Sequence, residues 1–195
     1  MKLVAITGSI GCGKTTLAQQ VKSLGFPVLD ADAWVRRLYR KKSFVSQVLS
    51  VFPEVNDCGE VNKRKLRNIV FNDVTQLKIL EGLIHPYLTK NLRKVIHKFA
   101  KTDVLLFLDV ALLFEMGWNK YCDYIIVADV DSHIQKERVM RRDGISAEDF
   151  DKINRVQMNN EDKKFLADVV VDTNCSSNVL RACMICVIDR ILSSC

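Results

Sequence analysis

Residues 8–15 read Gly-Ser-Ile-Gly-Cys-Gly-Lys-Thr, and this run satisfies the spacing G-x-x-x-x-G-K-[ST] of a phosphate-binding loop. Backbone amides of such a loop wrap nucleotide phosphates. Gly8, Gly11 and Gly13 allow the close approach this requires, and Cys12 and Thr16 lie in the same stretch. Lys14 is expected to reach the β/γ-oxygens as a compact cation, and the Thr15 hydroxyl to ligate Mg²⁺. In a chain of this length the four fixed positions match by chance on the order of 1% of the time. The chemistry that follows is binding and use of a nucleoside triphosphate.

The elements around the loop suit that chemistry. Leu3 to Ile6 reads as a short buried strand, and Leu17, Val21 and Leu24 recur at helical spacing behind the loop. The helix N-terminus adds a positive dipole end. Further apolar runs at Pro27–Leu29, Val104–Asp109, Tyr124–Ala128 and Ala167–Val171 alternate with longer helical patterns. That alternation predicts an α/β fold, a doubly wound parallel five-stranded sheet of the P-loop NTPase type. Ligands of such sheets sit beyond the carboxyl ends of the strands. Polar residues occur at three of those ends: the phosphate loop, Asp30-Ala31-Asp32, and Asp109 leading into Leu112-Leu113-Phe114-Glu115.

The reading gives one domain, with core segments at 1–32, 102–132 and 165–195. A mostly helical substrate region spans about 33–101, and a polar, basic lid about 138–164. Gly25 is expected just past the end of the first helix, and Pro86 to interrupt or begin a helix. Ser132 and Ser146 are expected as helix N-caps.

Composition excludes several classes. The 195 residues are 48% hydrophobic and 27% charged, an ordinary globular balance. No apolar stretch is long enough to span a bilayer, and the phosphate loop begins too early for a signal peptide. A cytoplasmic protein that binds no membrane is expected. Seven cysteines is an odd count, and Cys183-x-x-Cys186 lacks a second pair, so neither disulfides nor a zinc site is expected. The formal charge of +6 reflects clusters at Arg36, Arg37, Arg40, Lys41, Lys42 and at Lys63, Arg64, Lys65, Arg67. No nucleic-acid-binding signature accompanies them, so they read as solvated helix faces or as attraction for a polyanionic small substrate. A guanine-specifying Asn-Lys-x-Asp is missing too: Asn119-Lys120-Tyr121-Cys122 lacks the carboxylate.

The motifs in combination resemble the dephospho-CoA kinase family over nearly the whole chain. The stretches that carry the resemblance are TGSIGCGKTT (7–16), the LDAD ending at Asp32, Leu66-Arg67 with Val70-Phe71, and LEGLIHP (80–86). LLFE (112–115), RVMRRDGIS (138–146), Gln157 and ADVVVDTN (167–174) complete them. The resemblance implies ATP-dependent phosphorylation of the ribose 3′-hydroxyl of dephospho-CoA, giving CoA and ADP, with Mg²⁺ as the metal. It implies that Asp32, Lys14 and Arg142 are catalytic. Gly8, Gly11, Cys12, Gly13, Lys14, Thr15, Thr16, Arg138 and Arg142 then bind ATP, and Arg138 could equally be a structural brace. Asp30, Asp32, Lys63, His85, Leu113, Phe114 and Glu115 are the implied acceptor contacts. Thr15 is the implied metal ligand, with Asp109 as an outer-sphere partner.

The chain departs from the family pattern at Ala111, where Pro is usual, at Lys63, where Arg is usual, and at Cys175-Ser176. A monomer or weak homo-oligomer is expected. The alternative left open keeps the chemistry and changes the acceptor to another nucleoside, nucleotide or small alcohol.

Overall fold

The computed structural model describes residues 1–102 and 104–193, so the end of the last core segment lies outside the described residues. The chain forms two compact units. One comprises Met1–Asp30 with Lys101–Cys195, the other Ala31–Ala100.

The first unit begins with β1 (Lys2–Thr7), the phosphate loop, α1 (Lys14–Ser23) and β2 (Val28–Asp30). β1 is apolar from Leu3 to Ile6 and buried on both faces there, as a central parallel strand must be. α1 buries Leu17, Ala18 and Val21 and ends where Gly25 turns at φ 90°, past the last carbonyls.

The second unit holds α2 (Ala31–Leu38), α3 (Lys42–Val51), the short antiparallel pair β3 (Asn56–Asp57) and β4 (Glu60–Val61), α4 (Lys63–Asn72) and α5 (Val74–Phe99). Its core is Leu38, Phe44, Val48, Phe52, Val55, Leu66, Val70 and Leu80. Two helices start on side-chain caps: Asn62 accepts from the Lys65 amide, Asp73 from Thr75 and Gln76. Basic side chains lie over aromatic rings, Lys41 on Tyr87 at 4.4 Å and Arg67 on Phe71 at 5.3 Å from the centroids.

The chain then returns to the first unit through β5 (Leu105–Asp109), β6 (Tyr124–Asp129), α6 (Ser132–Asp143), α7 (Ala147–Arg155), α8 (Asn160–Phe165), β7 (Val169–Asp172) and α9 (Ser177–Ser193). The five long strands form one parallel sheet in the order β2-β5-β1-β6-β7. In register, Asp109 lies opposite both Ile6 and Asp30, so three strands end level with the phosphate loop. α1 and α9 cover one side with Leu17, Val21, Met184 and Ile188 against Val4, Ile6 and Phe107.

Two local expectations are corrected. Pro86 neither starts nor stops a helix; α5 runs straight through it. The carbonyl that loses its partner belongs to Gly82, four residues back. Both residues are exposed, so water can satisfy it. Leu80, Leu88 and Leu92 anchor the helix on both sides of the break. The cap of α6 is Asp131 rather than Ser132, its carboxylate accepting from the His133 amide at 2.8 Å. Ser146 caps α7 as expected. Alternation did not expose the β3–β4 pair, since two-residue strands carry no period.

Phe107 is fully buried and meets Phe26 edge-on, with centroids 5.8 Å apart. Phe107→Ala should cost about 3–5 kcal/mol, read as a lower urea midpoint with an unchanged slope.

Candidate active site: the phosphate loop and its supports

The loop turns sharply between β1 and α1 and packs against neighbours at two glycines. A Cβ on Gly13 (φ 83°) would lie 2.6 Å from Thr173 Oγ1, and one on Gly11 (φ 82°) 2.5 Å from Val139 Cγ2. Either substitution combines left-handed strain with a steric collision. The first two amides of α1, Lys14 and Thr15, come before any intrahelical acceptor exists, which leaves them for a ligand.

The earlier amides of the loop are held by side chains. Ser9 N donates to Asn160 Oδ1 and Ile10 N to Gln157 Oε1, each at 3.0 Å. Gln135 Nε2 donates to the Ile10 carbonyl at 2.7 Å. Thr173 Oγ1 donates to the Cys12 carbonyl at 3.0 Å, and Arg138 in turn donates to Thr173 Oγ1 and the Thr173 carbonyl. Arg138 therefore braces the loop from behind, the structural alternative left open for it. Arg142, in the last turn of α6, is exposed and forks onto Asp143 with two 2.8 Å hydrogen bonds.

The Lys14 ammonium forms an ion pair with Asp109 at the end of β5, both side chains mostly buried. Thr15 and Thr16 lie exposed on the first turn of α1. Asp30 ends β2, and Asp32 is exposed in the first turn of α2.

The Leu112–Glu115 stretch behaves differently from the acceptor wall expected of it. Leu113 is fully buried and presents nothing to a substrate. Phe114 is half-buried. Glu115 turns its carboxylate inward, where Oε1 accepts from the Met158 amide at 2.9 Å and pairs with Lys163 at 3.1 Å. The Ala111 carbonyl accepts from Thr7 Oγ1 at 3.2 Å and Lys163 Nζ at 3.0 Å. Those bonds hold the loop at Ala111.

In the second unit, Lys63 opens α4 with its ammonium 5.4 Å from the Tyr39 ring centre, beside a cavity of about 630 Å³ that Arg40 and Lys42 also line. His85 lies in α5 beside a cavity of about 880 Å³ with Lys90, Arg93, Lys94 and His97 along one helix face. Burial holds the His85 imidazole below its ordinary value, against the opposing charge of Glu81.

A family model described as dephospho-CoA kinase matches residues 2–178. The chain belongs to the dephospho-CoA kinase family. Dephospho-CoA kinase of Fusobacterium nucleatum is 36% identical over 174 residues, covering 88% of this chain and 89% of that one. Among solved structures, a Thermus thermophilus protein superposes with a TM-score of 0.81 at 32% identity over 97% of both chains. Dephospho-CoA kinase from Campylobacter jejuni gives 0.71 at 26% identity over 98% of both. As a member of the dephospho-CoA kinase family, this chain is a phosphotransferase with an alcohol as acceptor.

Gln135, Asn160, Lys163 and Thr173 took no part in the sequence reading of the site. Thr173 and Gln157 lie within stretches that carry the family resemblance, whereas Lys163 falls in a run so polar that nothing marks it as buried.

Cys12 is 1% exposed, and its thiol is pushed up to about 11, chiefly by burial and then by the charge of Asp129. At pH 8 it remains a thiol and is shielded. A thiol reagent at that pH should label exposed Cys58 rapidly and Cys12 only on unfolding. Peptide mass mapping reads this, and equal native rates would refute it.

Proposed function

We propose that Lys14, Asp32 and Arg142 carry the transfer at this loop. The reaction is that of the dephospho-CoA kinase family: ATP phosphorylates the ribose 3′-hydroxyl of dephospho-CoA, giving CoA and ADP, the last step of CoA biosynthesis. The observation that supports the assignment most directly is the Lys14–Asp109 ion pair at the level of the strand ends. A mostly buried ammonium needs an anionic partner. In the free enzyme Asp109 fills that place, and bound ATP offers Lys14 its β/γ-oxygens instead.

The amides of Gly11, Gly13, Lys14 and Thr15 bind the phosphates at the positive end of α1. Arg142 leaves Asp143 for the phosphate oxygens; an exposed ion pair of that kind is weak, so the exchange costs little. Asp32 orients the 3′-hydroxyl and takes its proton as the bond to phosphorus forms. Phosphoryl transfer has a loose transition state, so most of that contribution is positioning. Asp30 and Phe114 of the first unit, and Lys63 and His85 of the second, serve as acceptor contacts.

The residues fit Mg²⁺: the exposed Thr15 hydroxyl is a hard oxygen ligand, and the Asp109 carboxylate would serve as its outer-sphere partner. A bound Mg²⁺ would supply neutralisation of the phosphate charge. No described helix is long and apolar enough to cross a membrane, and the six described cysteines are free thiols. The free thiols fit a reducing compartment.

ADP release with dephospho-CoA should far exceed that with adenosine, AMP or no acceptor, the product gaining one phosphoryl mass. Lys14→Ala should abolish turnover in a folded protein. Asp32→Asn should lower kcat by about 100-fold or more while acceptor KM changes little; an effect confined to KM would make Asp32 a binding residue only.

A further inference from the structure

Lys163 is fully buried, although it sits in α8 among Asn160, Glu161, Asp162 and Lys164. Its ammonium meets the Ala111 carbonyl at 3.0 Å and Glu115 Oε1 at 3.1 Å. The same Glu115 oxygen accepts from the Met158 amide, while Oε2 is buried with no hydrogen-bond partner. One cation thus ties together two backbone segments, the turn after β5 and the stretch running from α7 into α8.

That stretch is also what the phosphate loop leans on. Gln157 accepts from Ile10 N, Asn160 from Ser9 N, and the Met158 carbonyl receives Ser9 Oγ at 3.4 Å. Asn160 Nδ2 reaches Asp129 at 2.7 Å, and Lys164 pairs with the same carboxylate. Residues 157–160 therefore grip the first half of the loop and are themselves gripped by Glu115 and Lys163.

We propose that Lys163, acting through Glu115, is a positioning residue for ATP: it fixes residues 157–160, which set the phosphate loop in its binding conformation. The proposal rests on ATP binding at that loop. A buried carboxylate deprived of its cation rehydrates, and the Met158 amide and its neighbours move with it. Gln157 and Asn160 then lose their aim, and the loop amides lose theirs. Residues 157–160 bond to the phosphate loop, whereas Asp32, Lys63 and His85 on the acceptor side belong to the other compact unit, so the effect falls chiefly on ATP.

The test is steady-state kinetics of the full chain with dephospho-CoA, the unsubstituted enzyme alongside establishing the family reaction. Lys163→Met should raise the KM for ATP by about 10-fold or more, leaving the acceptor KM within about 2-fold. Lys163→Arg should keep most of the ATP affinity. Adding Glu115→Gln to Lys163→Met removes the stranded charge and keeps an acceptor for Met158, so it should recover much of the loss. Gln157→Ala should repeat the ATP-specific signature, and it serves if Lys163→Met does not fold. A uniform fall in kcat with both KM values unchanged would overturn the proposal, as would strictly additive effects of the pair or an unaltered Gln157→Ala enzyme. Failure of the unsubstituted enzyme to turn over dephospho-CoA would instead strike the family reaction.

Discussion

A loop that offers its amides to an anion cannot use them to hold its own shape. Everything around residues 8–15 follows from that constraint. The second half of the loop, running into α1, leaves its N–H groups at the positive end of a helix. The first half must then be held from outside, and its polar groups are met by Gln157, Asn160, Gln135 and Thr173. Each such bond contributes about 0.5–1.5 kcal/mol net. Their larger effect is to remove the conformational freedom that phosphate binding would otherwise have to overcome.

The supports come from three places in the chain: the helix after β6, the segment before β7 and the end of β7 itself. Parallel topology brings them together. With β1 central and β6 and β7 stacked beside it, each strand end and the connection that follows it lie at the same edge of the sheet. On the other side of β1, β5 delivers Asp109 to Lys14 and, soon after it in the chain, the Ala111 carbonyl and Glu115 carboxylate that receive Lys163. The glycines permit the approach, since a methyl group at Gly13 would collide with the Thr173 side chain that braces the loop.

Charge is arranged in pairs at this edge. Lys14 faces Asp109, Lys163 faces Glu115, Lys164 faces Asp129 and Arg142 faces Asp143. They differ in burial, and that difference decides their roles. The exposed Arg142–Asp143 pair is easily exchanged for a phosphate, whereas Lys163 is enclosed and its removal would strand a carboxylate. Basic residues of the second unit contribute differently, setting their charged heads over aromatic rings.

Much of this was legible in the residues. Four fixed positions at 8–15 and the apolar runs around them specify a strand, a phosphate loop and a helix, because local backbone chemistry suffices for each. All five long strands lie within two residues of the apolar runs that announce them. Local patterns failed where a partner distant in sequence decides the outcome. Pro86 continues a helix because tertiary contacts at Leu80, Leu88 and Leu92 outweigh one lost hydrogen bond. Local patterns also say nothing of Leu113, which fills the interior, or of Glu115, which receives a cation 48 positions away in the chain. The sequence by itself determined the nucleotide chemistry, the sheet and the family. Only the tertiary structure decided which polar side chains hold the loop and which stay open to a ligand, since burial and hydrogen-bond partners arise only where distant segments meet.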